Sequence, residues 1–112
     1  MSMARAVTDD SFDAEVLRCP RPVIVEYWAR WCPPCRLIAP VLDEIAADHA
    51  GHVELVMVNV DENPHTASRY HILAVPTVSV FAAGEVVNQL TGARSKAAFL
   101  RELGEFLEAP VA

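Results

Sequence analysis

The pattern of apolar and polar positions divides the chain into strands and helices that alternate over most of its length. Val23 to Ala29 and Val53 to Val60 are near-continuous apolar runs rich in β-branched residues, which is typical of strands covered on both faces. Between these runs, apolar residues recur every three or four positions and predict a long helix that starts at Pro34 and stops before Gly51.

Shorter signals predict the remaining elements. A polar cluster that starts at Thr8 offers a helix cap and predicts a short helix near 9 to 18, ended by Pro20. A first strand within Met3 to Val7 stays open, because the segment is too short and alanine-rich to assert one. The rest of the pattern indicates a short helix over Pro64 to Tyr70, an antiparallel hairpin of Thr77 to Phe81 with Val86 to Leu90, and a helix that is capped by Ser95 and reaches Leu107.

Strands that alternate with helices imply right-handed crossovers that place helices on both faces of one sheet. We therefore predict an α/β fold with a central mixed β-sheet flanked by helices on both faces. At 112 residues the chain is short enough for a single domain over residues 1–112.

Charge and composition exclude several classes of partner. The chain carries 15 acidic and 9 basic residues, a net charge of -6, and no basic stripe that would neutralise phosphates, so we expect no nucleic-acid partner. No apolar stretch approaches the roughly 18 residues that span a bilayer, and the first residues lack the apolar core of a leader peptide. We expect a cytoplasmic monomer that is not attached to a membrane.

Three cysteines are an odd number, which is a poor basis for a disulfide framework, and two of them form a Cys-x-x-Cys unit. Cys32 and Cys35 lie where a buried strand leads into a helix. Unpaired amides and the positive end of the helix dipole stabilise a thiolate at that place. Because a residue before proline avoids helical geometry, we predict Cys32 and Pro33 extended, with Pro34 as the first helical residue. Cys32 would then be the exposed, attacking sulfur and Cys35 the sheltered, resolving one.

A zinc site is the alternative interpretation of the pair, because His49 and His52 follow at a finger-like spacing. A helix over residues 36 to 49 rises roughly 21 Å, which is too far for His49 and Cys35 to share one ion. We therefore predict no metal.

The segment Trp28-Ala-Arg-Trp31-Cys32-Pro33-Pro34-Cys35-Arg36 is followed by Ala39-Pro40, Val75-Pro76-Thr77 and Gly92-Ala93. In these motifs the chain resembles the thioredoxin family, from about Thr8 to Leu107. The resemblance implies a thioredoxin fold, with Cys32 as the nucleophile and Cys35 as the resolving thiol. It also implies a cis bond before Pro76, which presents the backbone of Val75 to a target strand. The implied substrate-binding surface consists of Trp31, Pro34, Val75, Pro76, Gly92 and Ala93.

Glu26 stands where the family commonly has a buried aspartate that helps to deprotonate the resolving cysteine. Burial would raise the pKa of this carboxyl toward the value that a base needs at neutral pH. The alternative is a glutamate that reaches solvent at a sheet edge. Two positions depart from the common family pattern: Pro33 replaces a glycine, and Met57 replaces a lysine near the buried acid. We expect Trp28 to support the active loop, and Asp61 either to cap the next segment or to brace Trp28.

These observations predict a thiol–disulfide oxidoreductase that reduces protein disulfides through Cys32, Cys35 and Glu26. The resemblance implies disulfide-containing proteins as substrates, no bound cofactor, and electrons from NADPH through a thioredoxin reductase. The chain itself contains no glycine-rich nucleotide motif. Two alternatives stay open: a disulfide oxidase or isomerase with the same fold, and a non-catalytic protein-binding module.

Overall fold

Five strands form one mixed sheet in the computed structural model, which describes residues 4–107. The spatial order is β1-β3-β2-β4-β5, in which β3 is parallel to both β1 and β2, and β4 is antiparallel to both β2 and β5. The strands are β1 (Arg5–Ala6), β2 (Val23–Trp28), β3 (Glu54–Asn59), β4 (Thr77–Ala82) and β5 (Glu85–Thr91). The predicted α/β fold with a mixed sheet is confirmed.

Three α-helices connect or follow the strands: α1 (Pro33–Asp48), α2 (Pro64–Arg69) and α3 (Lys96–Leu107). Their bounds lie close to those predicted, and α1 continues through Pro40. The hydroxyl of Ser95 accepts a hydrogen bond from the Ala98 amide at 3.2 Å, as expected of a cap for α3. Local sequence signals were therefore sufficient for these three helices.

The first predicted helix is shorter than the sequence indicates. Residues 9 to 11 form turns, and a π-helical turn covers Asp13–Leu17, where the Arg18 amide donates to the Asp13 carbonyl at 3.0 Å. The predicted capping residues instead stabilise the turn before it. The Thr8 amide donates to the Ser11 hydroxyl, and the Ser11 amide donates to the Thr8 hydroxyl. The carboxylate of Asp9 instead accepts hydrogen bonds from backbone amides at the start of α2.

The edge strand β1 was not predicted. Arg5 and Ala6 pair in parallel register with Val56 and Met57, while Met3, at the start of the unassigned segment, lies outside the described residues. The guanidinium of Arg5 bridges the carboxylates of Glu54, at 2.8 Å, and Glu15, at 3.3 Å. Tertiary pairing and these ion pairs therefore produce a strand that local propensity does not indicate.

Alternating residues of the strands serve two separate cores. Ile24 faces α1 and α3 and packs into a cluster with Ile38, Leu42 and Phe99. The neighbouring positions of β2 face the opposite side of the sheet and pack into a second cluster. Its members are Val23, Val25, Tyr27, Phe12, Val16, Phe81 and, partly buried, Tyr70. Since side chains alternate along a strand, Glu26 lies on the same sheet face as Ile24, under α1.

Candidate redox-active site

The two cysteines of the Cys-x-x-Cys unit form a disulfide at the start of α1. Cys32 is the N-cap residue, with an extended backbone at φ -107 and ψ 96, and its Cα lies 5.4 Å from that of Cys35. The Cys35 amide donates to the Cys32 carbonyl at 3.2 Å, which closes the turn. The sulfur of Cys32 is thus attached at the positive end of a sixteen-residue helix.

Two details of the predicted loop are wrong. Pro33 is helical, so α1 begins one residue earlier than predicted, and Pro33 and Pro34 occupy its first two positions. Proline tolerates these positions because neither amide would have an intrahelical partner. Cys32 is not exposed in the disulfide form: it is 3% exposed and Cys35 2%. Both cysteines pack with Ala29 in a small cluster, and Trp28, Val60 and Val75 cover it.

The segment beside the disulfide contains the cis peptide bond implied by the resemblance. It joins Val75 to Pro76. The Pro76 carbonyl accepts a hydrogen bond from the Gly92 amide at 2.8 Å, and the Thr77 hydroxyl donates to the Ala74 carbonyl at 2.7 Å. The bond from Gly92 brings the end of β5 next to the proline loop, so Gly92 and Val75 share one region although they are distant in sequence.

Glu26 is 1% exposed, so the alternative of an edge glutamate that reaches solvent is wrong. Its register partners are Met57 in β3 and Val78 in β4. Burial, reinforced by the nearby charge of Asp43, raises the pKa of Glu26 to about 8. One carboxylate oxygen, Oε2, is buried without a hydrogen-bond partner. Such a group favours its protonated form and exchanges a proton near neutral pH.

Glu26 is also well placed along the strand. Ile24, two residues before it, packs under α1, and Trp28, two residues after it, packs against the cysteine cluster. The carboxyl therefore lies under α1 and toward the end of the sheet that carries the disulfide.

Asp61 has a different partner from either one predicted. Its carboxylate accepts a hydrogen bond from the indole nitrogen of Trp31 at 2.9 Å, and not from Trp28. This bond fixes the ring of Trp31, which is 67% exposed and directly precedes Cys32. Trp28 is half-buried and packs against the cysteines, as expected of a supporting residue.

A shallow groove of about 90 Å³ lies beside the disulfide. Of the predicted surface residues, Trp31 and Val75 line it, while Pro34 and Ala93 are exposed outside it. Gly92 is half-buried and Pro76 is buried, so the prediction of Pro76 as part of the exposed surface is wrong. Sequence reasoning missed the other lining residues: Val60, Ile72, Leu73 and Ala74. The signal that was available is the apolar run from Ile72 to Val75, which lies before the proline and outside any predicted element.

Neither a metal site nor a membrane span was found between residues 4 and 107. No three His, Cys, Asp or Glu side chains in this range lie close enough together to hold an ion. His49 instead contacts the Ile45 carbonyl through Nδ1 at 2.9 Å. No described helix is long and apolar enough to cross a bilayer.

Comparison with known proteins gives a consistent result over nearly the whole chain. The family model described as Thioredoxin matches residues 3–105. The Thioredoxin of Streptomyces clavuligerus is 50% identical over 95 residues, which cover 85% of this chain and 88% of that protein. Thioredoxin 1 of Nostoc sp. is 46% identical over 107 residues, or 96% of this chain and 100% of the relative. The Thioredoxin of Mycolicibacterium smegmatis is 46% identical over 104 residues, with 91% and 93% covered.

A mixed sheet with a Cys-x-x-Cys disulfide at the start of a helix, together with these relatives, defines a dithiol–disulfide oxidoreductase. The chain belongs to the thioredoxin family. Its activity is that of a protein-disulfide reductase, and its partners are, in general, disulfide-containing proteins and a reductase.

Proposed function

We propose that Cys32 is the attacking thiolate in the reduction of protein disulfides and that Cys35 completes each turnover. The Cys32 thiolate attacks one sulfur of the substrate disulfide, which forms a mixed disulfide and releases the other sulfur as a thiolate. Cys35 then loses its proton and attacks the Cys32 sulfur, which releases the second substrate thiolate and closes the Cys32–Cys35 bond. Two electrons pass from the dithiol to the substrate.

The position of Cys32 as N-cap of α1 is the observation that carries this assignment. Its sulfur is adjacent to the positive end of the helix, whereas Cys35 lies inside the first turn with its amide bonded to the Cys32 carbonyl. The active site is then a Cys-Pro-Pro-Cys unit in which two prolines hold the first turn. Substrate backbone would pair with Val75, which the buried Pro76 follows, and the surface formed by Trp31, Pro34, Gly92 and Ala93 would receive the adjoining residues.

Glu26 supplies the proton transfer in this scheme. As a carboxylate it takes the proton of Cys35 before the resolving step, and it later returns that proton to solvent or to a leaving thiolate. The burial that raises its pKa to about 8 makes this exchange possible near neutral pH.

Electrons for the next cycle would come from NADPH through a thioredoxin reductase, without a cofactor bound to this chain. A reducing cytoplasm suits this role, because the Cys32–Cys35 pair must be returned to the dithiol between turnovers. We propose a monomer that binds neither nucleic acid nor membrane, which is consistent with its net charge of -6.

Insulin reduction by the full chain tests the assignment. The wild type should turn over with dithiothreitol as reductant, and Cys35→Ser should lose turnover and accumulate a mixed disulfide at Cys32. Cys19→Ser is the matched control, since Cys19 is the free cysteine of the described residues and should be dispensable. Trapping through Cys35 in a Cys32→Ser variant, with equal efficiency, would contradict the assignment.

The redox equilibrium with glutathione distinguishes a reductase from an oxidase or isomerase. A potential of about -270 mV supports the reductase, and one of about -120 mV would support an oxidant.

A further inference from the structure

Glu26 belongs to a row of side chains that crosses the sheet on the face covered by α1. Register partners on neighbouring strands place their side chains on the same face, so Met57 of β3 lies between Glu26 of β2 and Ala6 of β1. Neighbouring strands are about 4.8 Å apart, which brings the thioether of Met57 within reach of the Glu26 carboxyl. Met57 therefore separates this buried carboxyl from the edge of the sheet.

The Glu26 carboxyl needs a hydrogen-bond partner that an unmodified methionine does not supply. Its Oε2 atom is buried and has no hydrogen-bond partner among residues 4–107. A thioether sulfur is only a weak acceptor, so the protonated carboxyl gains little from Met57. A sulfoxide in the same place is polar and carries an oxygen that accepts hydrogen bonds. Oxidation of Met57 would thus give the protonated carboxyl an acceptor.

Met57 is open to a small oxidant from the edge of the sheet. Its side chain is half-buried, and its neighbour on the outer side, Ala6, is exposed and has no side-chain atom beyond Cβ to cover the sulfur. Strand β1 is two residues long, and its other residue, Arg5, points to the opposite face because side chains alternate along a strand. The thioether is therefore accessible, whereas the carboxyl behind it is not.

We propose that Met57 is an oxidation site at which hydrogen peroxide switches off the base for the resolving step. The thioether sulfur attacks one peroxide oxygen and the O–O bond breaks. The sulfur loses two electrons and becomes a sulfoxide, while the other oxygen leaves as water. The sulfoxide oxygen then accepts a hydrogen bond from protonated Glu26, which keeps the carboxyl from taking the proton of Cys35. A methionine sulfoxide reductase would reverse the change. This inference rests on the proposed role of Glu26.

The charge that faces Glu26 from α1 acts in the same direction as the sulfoxide. The carboxylate of Asp43 favours the protonated form of Glu26, as burial does, and together they raise its pKa to about 8. The register partner in β4, Val78, is apolar and has no charge to oppose them. After oxidation of Met57, Glu26 should therefore become a base only at a higher pH than before.

The two thiolates released from the aromatic disulfide dithionitrobenzoate separate the two chemical steps. The first coloured thiolate leaves when Cys32 attacks, and the second leaves when Cys35 resolves the mixed disulfide. The full chain carries Cys19→Ser, so that no other cysteine reacts with the reagent. It is treated with hydrogen peroxide while Cys32 and Cys35 are protected as a disulfide. Dithiothreitol then restores the dithiol and leaves the sulfoxide in place.

Met57→Leu in the same background is the matched control. It keeps Met1 and Met3, so it reports any effect of oxidation elsewhere in the chain. Mass spectrometry of the peptides measures the oxygen that Met57 gains. Stopped-flow absorbance measures both phases over a range of pH, and treatment with a methionine sulfoxide reductase tests reversal.

Oxidation of Met57 should slow the second phase at pH 7 by roughly fivefold to tenfold, because one hydrogen bond to the neutral carboxyl lowers the ionised fraction by that factor. The first phase should keep its rate, since attack by Cys32 does not use Glu26. The slowing should disappear above about pH 10, where the carboxyl is ionised in both forms. The sulfoxide reductase should restore the rate, and peroxide should leave the second phase of Met57→Leu unchanged.

Glu26→Gln should resolve slowly and should not respond further to oxidation of Met57. An unchanged second phase in fully oxidised protein whose Glu26→Gln variant is slow would overturn this inference alone. Equal slowing by peroxide in Met57→Leu or in Glu26→Gln would also overturn it, and so would a Met57 that gains no oxygen when Met1 and Met3 are fully oxidised. A Glu26→Gln variant that resolves at the wild-type rate would instead contradict the proposed role of Glu26 itself.

Discussion

Glu26 has opposite effects on stability and on chemistry at the scale of a single residue. Its pKa is raised from 4.5 to about 8 by burial and by the charge of Asp43. An unfolded chain would release this proton near pH 4.5, whereas the folded protein keeps it until about pH 8. The folded state therefore binds more protons over this interval, and stability falls as pH rises. The carboxyl that we propose for proton transfer thus destabilises the fold above pH 4.5.

Glu26→Gln should remove this pH dependence. Each pH unit between the two pKa values costs about 1.4 kcal/mol in the wild type. The free energy of unfolding of the variant, relative to the wild type, should therefore increase by about 4 kcal/mol from pH 4 to pH 8. Urea unfolding of the oxidised proteins at both pH values measures the difference. A constant offset between them would show that Glu26 ionises normally in the fold.

A substitution at Met57 can change the pKa of Glu26. It is the register partner of Glu26 in β3, and its side chain is half-buried on the same sheet face. Met57→Lys places a cation beside the carboxylate and should lower the pKa of Glu26, because opposite charges favour the ionised form. NMR titration of the Glu26 carboxyl measures the shift, and Met57→Leu is the uncharged control. An unchanged or raised pKa in Met57→Lys would refute the argument.

At the scale of elements, the start of α2 is capped by Asp9, a residue distant in sequence. The Asp9 carboxylate accepts hydrogen bonds from the Thr66 amide at 2.8 Å, the Thr66 hydroxyl at 2.6 Å and the His65 amide at 3.2 Å, all at the start of α2. Partial desolvation acts in the opposite direction, but these bonds lower the pKa of Asp9. The N-terminal turn and α2 are thereby joined into one unit on the second face of the sheet.

Asp9→Ala should destabilise the protein by about 1–2 kcal/mol, the usual cost of removing a helix cap. Because the pKa of Asp9 is lowered in the fold, this contribution is present above its ordinary value of 3.8 and is lost as the pH falls below it. Asp10→Ala is the matched control, since Asp10 is adjacent and exposed. Thermal unfolding at pH 7 measures both variants, and equal destabilisation would contradict the capping role.

Elements also differ in how well the sequence predicts them. The strands β2 and β3 and the helix α1 have strong periodic patterns and were predicted within about one residue at most of their ends. The strand β1 and the π-helical turn were not predicted in this way. The ion pair of Arg5 and the hydrogen bond between Asp9 and α2 join parts of the chain that are distant in sequence. Local propensity contains no information about such partners.

At the scale of the whole molecule, the disulfide connects redox state to stability. The Cys32–Cys35 link has a sequence separation of 3, so it constrains the unfolded chain only slightly. The chain-entropy relation for such a loop gives roughly 2 kcal/mol. The fold also buries both cysteines next to each other, which favours the disulfide.

The oxidised protein should therefore be more stable than the reduced protein by roughly 2 kcal/mol at neutral pH. Guanidinium unfolding with and without a thiol reductant measures the difference. Cys35→Ser, which is unable to form the bond, should show the same midpoint in both conditions. A reduced form at least as stable as the oxidised form would contradict this expectation.

The sequence by itself determined the order of the main elements, the cysteine pair at a strand-to-helix junction and the fold class, because these depend on local periodicity and on motifs of adjacent residues. Tertiary structure alone decided which residues meet across the chain: Trp31 with Asp61, Asp9 with α2, and Leu73 with the groove beside the disulfide. It also decided that both sulfurs are buried, since exposure depends on how Trp28, Val60 and Val75 pack around them. Contacts between distant segments follow from the packing of the complete sheet and its helices, and no local pattern encodes them.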